Sequence, residues 1–236
     1  PMQIRTSGGN LEKQSDTNIP GGSILVSTAY LPNIQYFSKL LSGKAVFIEV
    51  WDSYQKQSFR NRTTIYGANG RQDLVIPVKR PQGNRTLTRD TLLDYDMPWN
   101  SVHWKAIVSA YRHSAFFDIF EPEIAPVFKR KMKYLLDWNF SLLERLFEMT
   151  GATPSYELTL NFKKDHPDCI DLRESMHPKA TKQKEDKSFT PAPYFQVFRN
   201  KHGFLPNLSF MDLLFNEGPQ AVSVCRSCFV DVHYEK

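Results

Sequence analysis

Several standard sequence signatures are missing from this chain of 236 residues. It has no run of about 18 apolar residues, which is what a membrane-spanning helix needs. Residues 1–22 lack the apolar core of a signal peptide, so we expect a cytoplasmic protein. The glycine-rich phosphate-binding motifs, G-x-S-x-G and H-E-x-x-H are also absent. P-loop, dinucleotide-binding, hydrolase and zinc-peptidase activities therefore have no motif in their support.

Cysteine is scarce, with three residues in the chain. A disulfide framework uses an even number of cysteines, so the odd count suits a reducing compartment. Cys225 and Cys228 form a C-x-x-C near the end of the sequence, with His233 beyond it. Structural zinc takes four ligands, and Cys169 is the one remaining thiol. We therefore predict no structural metal, and the sequence points to no particular cofactor.

The chain is basic, with a formal net charge of +5 and a pI near 9.0. Such a charge permits an acidic partner, for example nucleic acid or a nucleotide-linked substrate. The basic residues are scattered, however, and the densest run, at 129–133, is predicted to be the solvent-facing side of a helix. Because no nucleic-acid-binding motif accompanies the charge, we predict that nucleic acid is not a partner.

The first half of the sequence has the pattern of an α/β fold. Residues 23–27 and 45–51 predict two buried strands, and the apolar spacing of 34–41 predicts a helix between them. A strand, a helix and a second strand form a βαβ unit, in which the two strands run parallel. Residues 59–66 and 74–78, on either side of an Asn-Gly turn, predict a hairpin.

Helices are predicted to dominate the second half, where apolar stripes run through 102–111, 135–147 and 208–215. The charged, proline-containing residues 166–193 predict a long connection, of the kind that is either functional or disordered. The predicted fold class is therefore α/β, with a small, mostly parallel mixed sheet followed by a helical half. We expect a leader at 1–22, a single domain at 23–221 and a tail at 222–236, with both ends poorly packed.

Four blocks of aromatic and polar residues follow one another in a characteristic order. They are AYLP at 29–32 with Tyr36 and Phe37, Y-x-K-x-x-x-R-N-R at 54–62 with IPV at 76–78, HWKAI at 103–107, and PYFQVF at 193–198 with DLLFN at 212–216. Over about residues 24–221, these blocks resemble the WbqC-like protein family. Many members have Gln-Pro where this chain has Thr28-Ala29, so no role for a glutamine transfers to that position.

The resemblance implies a bacterial protein of surface-polysaccharide biosynthesis, because WbqC-like proteins are associated with gene clusters for O-antigen and related glycans. It further implies a transferase that moves an amino acid such as glycine, or another small group, onto a sugar or a sugar nucleotide. The partner would then be an activated small-molecule or sugar-nucleotide substrate.

A basic stretch inside the second block is the first candidate site. On a regular strand Lys56, Arg60 and Arg62 share one face, because side chains alternate between faces. Three neighbouring cations repel one another, so we predict that a phosphate, diphosphate or carboxylate binds between them. The alternative is a charged edge strand that prevents aggregation. The other residues predicted to contribute to this substrate or anion site, some of them from other parts of the chain, are Tyr30, Tyr54, Asn61, Arg173 and Lys179.

Two histidines are the candidate catalytic residues. His177 lies in the long polar connection and is predicted to act as a general base near neutral pH, with a plain solvated loop as the alternative. His103 shares the face of a predicted helix with Tyr111, and its alternative is a hydrogen-bonded core residue. The last block adds further substrate-binding candidates, for which a structural role is the alternative: Tyr194, Gln196, Asp212 and Asn216.

Two other functions remain open. The strand–loop–helix opening resembles that of nucleotidylyltransferase-like domains, which bind ATP at the helix N-terminus, although no His-x-Gly-His stands at 33–36. A non-catalytic partner in a glycan-assembly complex is the third function. Replacement of Arg60 separates these classes, because an enzyme would lose turnover whereas a scaffold would lose its partners.

Overall fold

The computed structural model describes residues 19–232, so the predicted leader up to residue 18 and the last four residues lie outside it. The strands are β1 Ile24–Ser27, β2 Val46–Glu49, β3 Arg62–Gly67, β4 Gly70–Val75, β5 Val78–Lys79, β6 Leu92–Leu93, β7 Glu157–Leu158 and β8 Ile170–Asp171. The helices are α1 Ile34–Leu40, α2 Trp99–Tyr111, α3 Phe117–Lys129, α4 Leu135–Thr150, α5 Arg199–His202, α6 Phe210–Glu217 and α7 Ala221–Ser227. Within residues 19–232, no helix is long and apolar enough to cross a bilayer.

A small parallel sheet with the strand order β7-β2-β1-β8 lies at the centre of the fold. All four residues of β1 and of β2 are buried, as expected for parallel strands that are covered on both faces. α1 connects β1 to β2, which confirms the predicted βαβ unit and the α/β class. The connection predicted at 166–193 supplies β8, an edge strand of this sheet.

β3 and β4 form the predicted hairpin. They pair antiparallel from Arg62 and Val75 to Gly67 and Gly70, so the turn itself consists of residues 68 and 69. The sequence prediction had placed the first of these strands at 59–66. It begins later because residues 59 and 60 lie in a turn and residue 61 in a bend, so the chain becomes extended only at Arg62.

The late start of β3 overturns one prediction about the basic stretch. Lys56 lies exposed in a turn, and Arg60 lies in a second turn ahead of the strand. Only Arg62 belongs to a strand. The prediction that these three cations share a strand face is therefore wrong.

The helical half packs around aromatic side chains. Trp138 is fully buried and lies edge-on to Trp99 and Phe128, with ring centroids 5.0 and 5.8 Å apart. Gly151 ends α4 with a φ of 65°, a conformation that glycine adopts without strain. The predicted helical second half is confirmed.

The basic run at 129–133 is not the face of a helix, which corrects its predicted placement. α3 ends at Lys129, and Arg130 is already extended with φ −79° and ψ 157°. The Lys131 ammonium lies 5.5 Å from the centre of the Tyr95 ring. Apart from Lys129, the residues of this run therefore belong to the connection between α3 and α4.

Residues 222–229 pack against the rest of the domain, contrary to the prediction of a poorly packed tail. α7 contacts α1, and the buried Cys225 thiol lies 3.6 Å from the carbonyl oxygen of Ile34, to which it donates. The backbone N–H of Ala192 donates to the sulfur of Cys228 at 3.3 Å. Only Ala221 and Cys225 of α7 are buried, which is too few to show an apolar period in the sequence. The domain boundaries themselves stay a prediction.

Packing also begins inside the predicted leader. Ile19 is 8% exposed and forms a small apolar cluster with Leu25 and Phe47. These two partners lie on β1 and β2, on the face of the sheet opposite the main core. The expectation of poor packing is therefore wrong at the end of that segment.

Candidate functional site

The order of the parallel strands marks one crevice of the sheet. From β1 the chain proceeds to β2 and then to β7 on one side, whereas β8 is added on the other side of β1. The strand order therefore reverses between β1 and β8. In open α/β sheets, ligands bind outside the carboxyl ends of the strands at such a reversal.

A small cavity of about 20 Å³ lies at this crevice. That volume is enough for one water-sized group. Its walls come from the segments that follow β1 and β8, from the start of α1 and from the turn before β3. The lining residues are Ser27, Thr28, Ala29, Asn33, Tyr36, Phe59, Arg60, Leu172, Arg173 and Met176.

Arg60 is the first charged residue of the cavity wall, and it is 2% exposed. Its Nη2 donates to the carboxylate of Asp52, to Ser27 Oγ at 2.7 Å and to Glu174 Oε1 at 3.4 Å. The other carboxylate oxygen of Asp52 accepts from Thr88 Oγ1 at 2.5 Å. Acidic partners from neighbouring loops therefore neutralise Arg60, and the argument that it requires an external anion is wrong.

Arg173, which follows β8, is also neutralised by carboxylates. Its Nη2 lies 2.6 Å from Asp171 Oδ2, and its Nη1 lies 3.3 Å from Glu49 Oε2. The same guanidinium donates to the carbonyls of Lys163 and Lys164 at 3.0 and 2.7 Å. The two arginines thus stand among four carboxylates, namely Glu49, Asp52, Asp171 and Glu174, so this end of the sheet carries an excess of negative charge.

Two buried donors beside the cavity are unmatched. The Nε of Arg60 and the Nδ2 of Asn33 have no hydrogen-bond partner among residues 19–232. The Oδ1 of Asn33 is already used, because it accepts the Tyr36 N–H at 2.9 Å and caps α1. Buried donors almost always have a partner, so this cavity is suited to one acceptor oxygen.

The backbone between β1 and α1 is strained next to this cavity. Leu31 is fully buried and has a φ of 40°. Its carbonyl oxygen accepts from Thr63 Oγ1 at 2.8 Å and from Ser209 Oγ at 3.1 Å, which holds the conformation. A non-glycine residue in such a conformation costs about 1–3 kcal/mol, and such residues cluster at functional sites.

A groove of about 510 Å³ adjoins the small cavity, and Phe59 lines both. It runs between the hairpin, the start of α1 and the second half of the 166–193 connection. Its lining residues are Gln35, Phe59, Thr64, Arg71, His177, Pro178, Gln183, Lys184, Glu185, Asp186, Phe189, Pro191, Pro206 and Asn207.

His177 lines this groove, and its hydrogen bond fixes the position of its proton. Its Nδ1 accepts the backbone N–H of Lys179 at 3.0 Å, so the neutral ring carries its proton on Nε2. Burial, and then the nearby charge of Lys182, lowers the pKa of His177 below its usual value. The geometry therefore favours a hydrogen-bond donor over the predicted general base. Lys179 itself is exposed.

His103 lies in the core. Its Nδ1 is 2.9 Å from the Tyr30 hydroxyl, and its ring packs edge-on against Trp99. Burial lowers the pKa of His103 to about 4, against the smaller opposing effect of a hydrogen bond to the backbone of Val75. His103 and Tyr30 line neither cavity. This arrangement agrees with the alternative interpretation, that of a hydrogen-bonded core residue.

The candidates of the last block form a buried network inside the helical half. Tyr194 Oη donates to Asp212 Oδ2 at 2.5 Å, and Gln196 Nε2 lies 2.9 Å from Tyr194 Oη and 3.2 Å from Asp212 Oδ2. Tyr111 also bonds Asp212, and burial raises the pKa of this carboxyl to about 6. Asn216 Nδ2 donates to the backbone carbonyl of Asp212 at 2.7 Å. None of these residues lines either cavity.

The remaining candidates also lie outside both cavities. Asn61 Nδ2 donates to the Ile76 carbonyl at 2.7 Å and fastens the turn to the end of the hairpin. Tyr54 is buried, and its N–H donates to the carbonyl of Thr86 at 2.9 Å. Arg62 pairs with Asp73 on the partner strand at 3.4 Å, which is the charged strand edge of the alternative interpretation.

Sequence reasoning missed four polar residues of this region: Asn33, Glu49, Asp52 and Glu174. Glu49 is the last residue of β2, and Asp52 follows shortly after. A search for polar residues at the carboxyl ends of the predicted strands would have found both. Within residues 19–232, no group of three or more histidine, cysteine or acidic side chains is arranged to hold a metal ion.

Comparisons with known proteins agree with the motif resemblance. A model of the WbqC-like protein family matches residues 28–224. A curated relative, the uncharacterized protein Rv1507c of Mycobacterium tuberculosis, is 25% identical over 231 residues, which cover 86% of this chain and 97% of the relative. A search of solved structures returned no match.

Proposed function

The chain belongs to the WbqC-like protein family, and from this membership and the geometry of the sheet edge we propose that it is a transferase of bacterial surface-polysaccharide biosynthesis. It moves an amino acid or another small acyl group onto a sugar. The family membership supports the pathway class, and the geometry of the sheet edge supports the type of reaction. The single observation that carries the reaction type is the pair of unmatched donors, Arg60 Nε and Asn33 Nδ2, beside one cavity.

These donors fit a carbonyl oxygen that gains negative charge during acyl transfer. A full anion is a poor occupant of the small cavity, because four carboxylates surround the two arginines there. A carbonyl oxygen is neutral when it enters, and the negative charge that it gains in the transition state would be met directly by the Arg60 and Asn33 donors. Fixed donors aimed at such an oxygen typically change kcat by about 10²–10³ each.

Glu174 is the carboxylate best suited to take the proton of the attacking group. Its side chain is 59% exposed, and it lies 3.4 Å from Arg60 Nη2, so it is both solvent-accessible and next to the cavity. A sugar hydroxyl or amine would add to the acyl carbon and pass its proton to Glu174. The leaving group of the activated donor would depart with the bonding electron pair.

Replacement of Asn33 by serine tests the role of its donor. Serine also caps helices well, so Asn33→Ser keeps the start of α1 while it removes the Nδ2 donor. Sugars, sugar nucleotides and amino acids are first screened by the increase of Tm that a specific ligand produces. Turnover of the ligands that bind is then followed by mass spectrometry. We expect Asn33→Ser to lower kcat by about 10²-fold with little change in Tm.

The matched control is Asn84→Ser, which removes an exposed amide from the loop before β6. It should leave turnover unchanged. Arg60→Lys keeps the charge opposite Asp52 but lacks the guanidinium Nε, so it should also lower kcat. If Arg60→Lys leaves turnover intact and instead weakens the capture of a glycan-assembly protein, the chain is a scaffold and the proposal is wrong.

A further inference from the structure

We propose that the 510 Å³ groove binds a nucleoside diphosphate, so that the sugar substrate arrives in its nucleotide-linked form. The identity of the attached sugar rests on the proposed function, whereas the diphosphate site rests on the groove alone. The volume lies within the range of 300–1,000 Å³ that is typical of small-molecule sites. The neighbouring cavity of about 20 Å³ is too small for a diphosphate.

The charge of the groove favours phosphate. Arg71 lines it from the hairpin, and Lys184 and His177 line it from the 166–193 connection. Two acids, Glu185 and Asp186, also line it. Asp186 is neutralised by Lys39 at 2.8 Å. With Lys39 included, three cations stand against two acids, so the groove carries a small excess of positive charge, unlike the sheet edge.

The donors of the groove match phosphate oxygens. Arg71 Nη2 donates to the Pro206 carbonyl at 3.1 Å, which holds the guanidinium at the groove and uses one of its five N–H donors. His177 presents Nε2–H rather than a lone pair, because its Nδ1 accepts the Lys179 N–H. A guanidinium, an ammonium and an imidazole N–H bind phosphate through charge-assisted and ordinary hydrogen bonds.

The groove also offers aromatic surfaces to a base. Phe59 and Phe189 line it and are both partly exposed. The Phe59 carbonyl accepts the Tyr30 N–H at 2.9 Å, so the backbone that carries this ring is held in place. Bases stack on aromatic side chains of this kind in nucleic-acid complexes.

The floor of the groove is pre-organised by a reciprocal amide pair. The Gln35 N–H donates to Asn207 Oδ1 and Asn207 Nδ2 donates to Gln35 Oε1, both at 2.9 Å. Asn207 has a φ of 55°, so this contact is held at a cost in backbone strain. A rigid floor loses little entropy when a ligand binds, which favours small-molecule recognition over an adaptable protein contact.

Titration calorimetry with ADP, GDP, CDP and UDP tests the proposal on the whole chain. At least one of the four should bind, and inorganic phosphate and a free hexose should bind more weakly than it does. Arg71→Gln should weaken the binding of that nucleotide about tenfold or more, because it removes a charged donor. Phe59→Leu should weaken it through the loss of stacking. The matched control Arg112→Gln changes the same charge at an exposed position on the end of α2 and should have no effect.

The outcomes separate this inference from the proposed function. The groove assignment is overturned if none of the four nucleotides binds, or if Arg71→Gln and Arg112→Gln bind equally well. It is also overturned if Asn33→Ser removes nucleotide binding while Arg71→Gln leaves it intact. In each of these cases the acyl-transfer proposal still depends on the turnover of Asn33→Ser and Arg60→Lys. Urea unfolding of every variant establishes that the comparison is made between folded proteins.

Discussion

Two buried polar clusters of this molecule differ in how completely their groups are matched. The sheet-edge cluster, Glu49, Asp52, Arg60 and Arg173, combines charges of both signs beside a cavity. The helix cluster, Tyr111, Tyr194, Gln196 and Asp212, surrounds one carboxyl with neutral donors, and its residues line neither cavity.

The difference teaches where to look for function in this fold. In the helix cluster each donor meets an acceptor, and Asp212 ties the 193–196 segment to α6. In the sheet-edge cluster, by contrast, the Nε of Arg60 lacks a partner among residues 19–232, as does the nearby Nδ2 of Asn33. The indole Nε1 atoms of Trp99 and Trp138 are also unmatched, but neither residue lines a cavity, so the adjoining cavity is what distinguishes Arg60 and Asn33.

The largest effect is expected when the charge pair of the sheet edge is broken. Arg60→Met leaves the Asp52 carboxylate buried without its cation, which should lower the free energy of unfolding by about 3–5 kcal/mol. The double variant Asp52→Leu with Arg60→Met removes both charges and should recover most of this loss in urea unfolding. If stability is recovered while turnover stays absent, the pair serves the reaction rather than the fold.

The next largest effect concerns the pH dependence of stability. In the folded state the pKa of Asp212 is raised from 3.8 to about 6. Between these two pH values Asp212 holds a proton in the folded protein but has released it in the unfolded chain. The contribution of Asp212 to stability therefore decreases as the pH rises from 4 to 6. A shift of this size corresponds to about 3 kcal/mol.

His103 contributes with the opposite sign in the same window. Its pKa is lowered from 6.5 to about 4, so between these values the unfolded chain binds the proton and stability rises with pH. The two contributions largely offset each other in the natural protein. Asp212→Asn should expose the contribution of His103, and its unfolding free energy should rise more steeply between pH 4.5 and 6.5. Parallel pH profiles of variant and parent would contradict the raised pKa of Asp212.

A smaller effect is expected from a single hydrogen bond of the helix cluster. Tyr194→Phe removes the hydroxyl that donates to Asp212 at 2.5 Å, and a bond to a charged group is worth about 1.5–3 kcal/mol. Urea unfolding should show this loss, while the Tm increase caused by ligands should equal that of the parent protein. A variant with parental stability but a lost ligand response would assign the helix cluster to the site after all.

The order of the main elements could be predicted from the sequence because continuous apolar runs and helical spacing mark them. β1, α1 and β2 follow from β-branched runs and helical spacing, and α4 ends at Gly151 as its sequence indicates. β7 and β8 contain two residues each, too few to show any alternation, so the two outer strands of the sheet were missed. The crevice at the reversal of strand order was therefore not visible in the sequence.

The chemistry of the site was harder to predict than its location. The sequence identifies Arg60 and Arg173 as candidates, but two of the carboxylates that neutralise them, Glu174 and Glu49, lie 114 and 124 residues away along the chain. The role of His177 depends on the turn that brings the Lys179 N–H to its Nδ1. Such contacts depend on the path of a loop, which periodicity does not specify.

The smallest effect is expected at an exposed arginine that resembles Arg60 in its number of acidic partners. Arg145 on α4 lies 3.1 Å from Glu123 and 2.9 Å from Glu148, yet all three side chains are partly or largely exposed. Solvent screens these pairs, so Arg145→Met should change the unfolding free energy by about 1 kcal/mol or less. Urea unfolding compares Arg145→Met with Arg60→Met, and turnover is measured for both variants. The substitution is the same, whereas the burial of the arginine differs. An equal loss of stability in the two variants would mean that burial does not distinguish them, and the contrast on which the sheet-edge site is argued would fail.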